Sequence, residues 1–155
     1  MEKVDLAYLA GLIDGEGCIY VDKHKDKRNK TNNSSYCLRL KINNTCEKMV
    51  DWLMLNFREF NPCSFACKGK EYDEGRRTCY EIKFNGKNAI NLLKLVKDFL
   101  ITKHKQCEYA LEFEETIYDN TRKRNGRFAP GDPDIMKKKE KIYQKIKNLN
   151  QRKEG

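Results

Sequence analysis

Glu16 stands between Gly15 and Gly17 at the end of a helical run, and a carboxylate in that position can hold a metal ion. The run carries Val4, Ala7, Tyr8, Leu9, Leu12 and Ile13 at helical spacing, which predicts a helix over Lys3 to Asp14. The last carbonyls of a helix lack intrahelical partners and are partly negative. A carboxylate beside them is repelled unless a cation joins the group. Carbonyl and carboxylate oxygens together suit a hard divalent cation, with the Gly15 carbonyl and Glu16 as ligands. An ordinary glycine C-cap beside a solvated glutamate would leave the same local pattern. The helix has a second feature. Ala7, Gly11 and Gly15 recur every four residues and share one face, where small side chains let another helix backbone come close.

Other chemistry is sparse. The histidines are His24 and His104, and no Ser-His-Asp or Cys-His arrangement accompanies them. The seven cysteines are odd in number and contain no Cys-x-x-Cys, which argues against a disulfide scaffold or a zinc ribbon and for reduced thiols. Cys63 and Cys67 lie in a strand-like run and are expected to pack on one face. The formal net charge is +9, unevenly spread. Residues 120–155 hold twelve Lys/Arg against four Asp/Glu, or +8, while residues 1–119 hold twenty against nineteen, or +1. With no apolar run of membrane-spanning length, such a balance points to a polyanion, DNA or RNA, rather than a membrane. A solvated basic tail would carry the same charge.

The elements that must position Glu16 follow from periodicity. A strand over 18–25 alternates Ile19 and Val21 against Tyr20 and Asp22, and a polar hairpin loop containing Arg28 spans 26–35. A second strand over 36–43 alternates Tyr36, Leu38, Leu40 and Ile42 with Cys37, Arg39, Lys41 and Asn43. Asn44 and Glu47 fit a capping box for a helix striped by Met49, Val50, Leu53, Met54 and Phe57. A second hairpin is expected over 63–69 and 78–84, then helices over 88–100 and 103–118, a linker over 119–131, and a last helix over 133–148 that starts on Asp132-Pro133. Two hairpins make one four-stranded antiparallel sheet with helices on one face, an α+β arrangement. Its other face would present Arg39, Lys41, Lys68, Lys70 and Lys83 to nucleic acid. Lys23 and Lys25 share parity with the apolar positions and join that face only if the strand twists or bulges. A solvated sheet face is the plainer alternative.

The string Leu9-Ala10-Gly11-Leu12-Ile13-Asp14-Gly15-Glu16-Gly17 resembles the signature of the LAGLIDADG homing endonucleases, with Gly15 and Glu16 replacing the family's Ala and Asp. It occurs once, which resembles the single-motif members that act as homodimers. The resemblance implies an αββαββα-type fold over 1–119 with the antiparallel sheet as DNA-binding face, plus a basic linker and C-terminal helix over 120–155. It implies a site-specific, metal-dependent endonuclease encoded by a mobile intron. Such an enzyme would use Mg²⁺, with Mn²⁺ as a substitute, and make a double-strand break with 3′ overhangs in a long, nearly palindromic double-stranded DNA. Dimer contacts would run through Ala7, Gly11 and Gly15. Beside Glu16, the family's catalytic positions resemble Asn44, Lys48 and Lys103, the last standing within Lys103-His104-Lys105, where the choice of residue is open. Lys23, Lys25, Arg28, Arg39, Lys41, Lys68, Lys70 and Lys83 would contact DNA. The alternative on the same fold is a maturase that binds intron RNA, or another RNA- or DNA-binding protein. Lysine outnumbers arginine 23 to 9 and asparagine is abundant, in keeping with a chloroplast, mitochondrial, bacterial or phage setting.

Overall fold

A computed structural model describes residues 2–25, 34–67, 78–117 and 133–151, apart from the side chains of Lys25 and Cys67. The element order is α1 (Lys3–Glu16), β1 (Gly17–Lys25), β2 (Ser34–Asn44), α2 (Glu47–Asn56), β3 (Cys63–Cys67), β4 (Cys79–Asn85), α3 (Gly86–Val96), α4 (His104–Glu112) and α5 (Pro133–Asn150). Short 3₁₀ turns follow α2, α3 and α4 at Arg58–Phe60, Lys97–Phe99 and Phe113–Thr116. These turns cut short the two helices expected over 88–100 and 103–118. The apolar positions survive the change, because Ile90, Leu93, Val96 and Leu100 are all buried.

The four strands form one antiparallel sheet in the order β1-β2-β4-β3. The hairpins join through β2 and β4, with Ile42 opposite Ile82 and Leu40 opposite Phe84. Ile19, Val21, Leu38, Leu40, Ile42, Ile82 and Phe84 point to one side and are buried under the helices. Period-two alternation sends the intervening residues to the open side. Cys18, Cys37, Cys63 and Cys79 take that outward parity as free thiols, so Cys63 is not core packing.

α5 extends to Asn150, two residues beyond its expected end, and packs against β1 and α4. Ile142 and Ile146 enter the same core as the rest of the chain. Glu140 accepts hydrogen bonds from Lys23 Nζ at 2.6 Å, from the Tyr36 hydroxyl, and from Gln144 Nε2 at 2.9 Å. Lys23 therefore leaves the expected DNA-facing set: its core-side parity is kept, and α5 supplies the carboxylate that lets it stay there. Among the described residues no helix is long and apolar enough to cross a membrane.

Candidate active site and nucleic-acid face

α1 runs two residues past its expected end, so Gly15 and Glu16 belong to its last turn. Gly17 is extended, and its N–H donates to the Ile13 carbonyl. A Cβ at Gly17 would lie 2.6 Å from that carbonyl oxygen. Only glycine lets the chain pass from helix to strand without a spacer, and this holds Glu16 at the junction of α1 with the sheet. Glu16 is exposed, and no hydrogen bond or ion pair joins it to a described residue. No basic residue occupies the last turn of α1.

Asp14 is in the opposite situation. It accepts the N–H of Ile101 at 2.7 Å, the N–H of Lys103 at 2.9 Å and the Thr102 hydroxyl at 3.0 Å. Burial pushes its carboxyl up, but these donors together outweigh burial and hold it below the usual range. The segment before α4 is thereby latched to the end of α1. Lys103 Nζ donates to the Asp14 carbonyl, two residues from Glu16. Lys105 instead pairs with Glu108 at 2.8 Å, so within Lys103-His104-Lys105 it is Lys103 that reaches the motif.

Asn44 ends β2. Gly17 pairs with Ile42, so Asn44 lies two residues beyond that register point, close to the junction. Its side-chain oxygen accepts the Cys46 N–H at 2.7 Å. The N-cap of α2 is Cys46 rather than Asn44 as expected, because the Asn44 side chain is spent two residues earlier. Lys48 is exposed and lines an open groove with Val4, Asp5, Tyr8 and Trp52. The groove is lined by the first two turns of α1, and Glu16 is not part of it.

The other face of α1 is bare. Val4, Ala7, Tyr8, Gly11 and Gly15 are exposed, and a Cβ at Gly11 or Gly15 would meet nothing within 4 Å. Leu9, Ala10 and Ile13 are fully buried on the opposite side.

The outward sheet face carries Arg39, Lys41 and Lys83 as expected; Lys25's side chain, Arg28, Lys68 and Lys70 lie outside the described set. Two carboxylates also stand on this face: Asp22, whose outward side the alternation of the first strand gave, and Glu81, which went unforeseen. Asp22 lies 3.0 Å from Arg39 Nε, without hydrogen-bond alignment, and 2.8 Å from His24 Nε2. Glu81 pairs with Lys41 at 3.0 Å and with Lys83. Strand alternation was the signal for both, since each precedes or follows a buried strand residue. What alternation lacks is the register that decides partners.

The oxygen donors at the end of α1 suit a hard divalent cation. Among the described residues no group of three or more His, Cys, Asp or Glu gathers, so one chain by itself builds no side-chain cage for a metal ion. Two copies meeting near Glu16 would supply the rest.

A profile of the LAGLIDADG endonuclease family matches residues 9–117. The chain belongs to this family, whose members are site-specific homing endonucleases that cut DNA with divalent metal ions. No curated protein sequence matches it. Among solved structures, the fold is similar to that of the homing endonuclease I-CvuI bound to a DNA target, with a TM-score of 0.73, 16% identity, and coverage of 99% of this chain and 86% of that one. It is similar to the archaeal intron-encoded homing endonuclease I-Vdi141I complexed with DNA, with a TM-score of 0.72, 13% identity, and coverage of 98% and 87%. It is also similar to I-GzeII in complex with its DNA target, with a TM-score of 0.63 and 11% identity, but spans only 43% of that chain.

Proposed function

We propose that the protein is a homodimeric homing endonuclease that cuts both strands of a long, nearly palindromic DNA duplex and leaves 3′ overhangs. The observation that carries this reading is the end of α1, where a bare small-residue face leads directly to an exposed, unpaired Glu16. Close approach of two α1 helices would bring two Glu16 carboxylates together at a two-fold axis. The length relation to I-GzeII is in keeping with the same reading, since this chain spans 43% of that one and leaves room there for a second unit of similar size.

The residues then divide the work. Gly15 and Glu16 would hold Mg²⁺, which when bound activates water and offsets charge on the phosphate. Lys103, whose Nζ donates to the Asp14 carbonyl two residues before Glu16, would offset the developing phosphate charge. Asn44, with its oxygen engaged, keeps its amide N–H groups to orient solvent. Lys48 would act from the second helix. Arg39, Lys41 and Lys83 would meet the major groove, which admits a β-ribbon. The composition supports an organellar, bacterial or phage setting, and the RNA-binding alternative has no comparable observation behind it.

The test is a plasmid library carrying randomised duplex, incubated with the full chain and Mg²⁺, with cut products sequenced and the protein sedimented in parallel. Expected results are double-strand breaks at a two-fold related sequence and a dimer that Gly11→Leu weakens by about 1–3 kcal/mol, through overpacking. A monomer at micromolar concentration with and without DNA would overturn the dimer. Absence of metal-dependent breaks would overturn the nuclease.

A further inference from the structure

Each described lysine or arginine on the outward sheet face already meets a carboxylate of that same face. Arg39 meets Asp22, which also contacts the His24 ring, and Lys41 and Lys83 meet Glu81. The second cluster is the more telling. Lys41 and Lys83 stand directly opposite each other on β2 and β4, the two central strands. Like charges so placed repel. Glu81 sits two residues before Lys83 on the same face and bridges both. Its side chain is 17% exposed, against 29% and 25% for Lys41 and Lys83. The triad is half-buried and crosses two strands.

Such an arrangement is poor at one task and good at another. Binding to phosphates draws on free cations that displace condensed counterions, and two lysines that share one carboxylate, with a single net positive charge between them, displace fewer than two free ones. Reading a base edge asks for donors and acceptors fixed in position. We propose that Glu81 is a specificity-determining positioning residue: it aims Lys41 and Lys83 at base edges and excludes phosphate from the centre of the sheet. Affinity then comes chiefly from elsewhere, and the sheet centre discriminates. Asp22 plays the same part for Arg39, whose Nη1 also donates to Asn85 at 3.1 Å. The inference rests on this face being the DNA surface.

The experiment uses the full chain in Ca²⁺, as wild type and Glu81→Gln. Each is titrated with one random-sequence duplex over a range of salt, and each is used to select from a randomised duplex library. Glu81→Gln should bind the random duplex about three- to tenfold tighter at low salt, with the log–log salt slope steeper by about one. Its selected consensus should lose about tenfold of preference at the base pairs that Lys41 and Lys83 face. Lys83→Gln should lose preference at the same base pairs but bind the random duplex more weakly, and it carries the test if Glu81→Gln does not fold. Glu81→Asp should restore part of the wild-type slope. If Glu81→Gln selects the wild-type consensus with an unchanged salt slope, Glu81 is only a packing group and the inference fails. If the wild type binds no duplex at all, the reading of the face as a DNA surface fails first.

Discussion

The end of α1 and the seam between β1 and α5 each carry a glutamate, in opposite surroundings. Glu16 is exposed and unpaired with any described residue. Glu140 is held by Lys23, Tyr36 and Gln144, and its carboxyl is pulled from 4.5 down to about 2, chiefly by the Lys23 hydrogen bond and then by Tyr36. The difference separates a carboxylate that no described residue engages from one consumed in holding the chain together. A site that breaks the rule of satisfied charges is the place to look for function. Asp14 shows how local the distinction is: two residues before Glu16, its carboxylate is taken up by the groups at 101–103.

The comparison can be broken most directly at Glu16. Glu16→Gln keeps shape and removes charge, so cleavage should fall roughly 10³-fold or more with Mg²⁺ and stay low with Mn²⁺, since metal-assisted water activation is lost. Stability should change by less than about 0.5 kcal/mol, as for an exposed surface substitution. Plasmid nicking and urea unfolding read the two effects, with DNA binding followed in Ca²⁺. An enzyme that still cuts near the wild-type rate would remove Glu16 from the site.

Asp14→Asn should give the converse. Two backbone N–H groups and one hydroxyl lose a charged acceptor, at a cost of about 1–3 kcal/mol in urea unfolding. Loss of cleavage without loss of stability would place Asp14 among the ligands and erase the contrast.

The smallest effect concerns Glu140. The fold favours its ionised form, so its contribution is fully present above pH 4.5 and fades as pH falls toward about 2. Glu140→Gln should cost about 1 kcal/mol at neutral pH, discounted for solvent exposure of the pair. The variant should also show a shallower loss of melting temperature between pH 4.5 and 2 than the wild type. Cleavage per folded molecule should not change. Parallel melting curves for wild type and variant over pH 2–6 would refute this account of the seam.

Much of the fold was legible because burial imposes periods on the chain. The alternation Leu38, Leu40, Ile42 named β2 and its core face, and the spacing Ile90, Leu93, Val96 named the buried stripe of α3. The small-residue face of α1 was legible for the same reason. Boundaries were less so. The Asn44 cap fell two residues early, because a side chain that hydrogen-bonds locally can satisfy several nearby N–H groups and sequence does not choose among them. Asp14 could be assigned to a helix end, yet its partners at 101–103 lie far along the chain.

By itself, then, the sequence determined the motif helix ending in Glu16, the two hairpins with their inner and outer faces, and a basic C-terminal helix. These depend on local spacing and residue type. Only the tertiary structure decided that Lys23 turns inward to Glu140, that Lys103 rather than Lys105 reaches the motif, and that one carboxylate, Glu81, bridges both Lys41 and Lys83. Those pairings follow from strand register and from α5 docking on β1. The energy that sets both is the burial of apolar faces, which is indifferent to the charges it carries along.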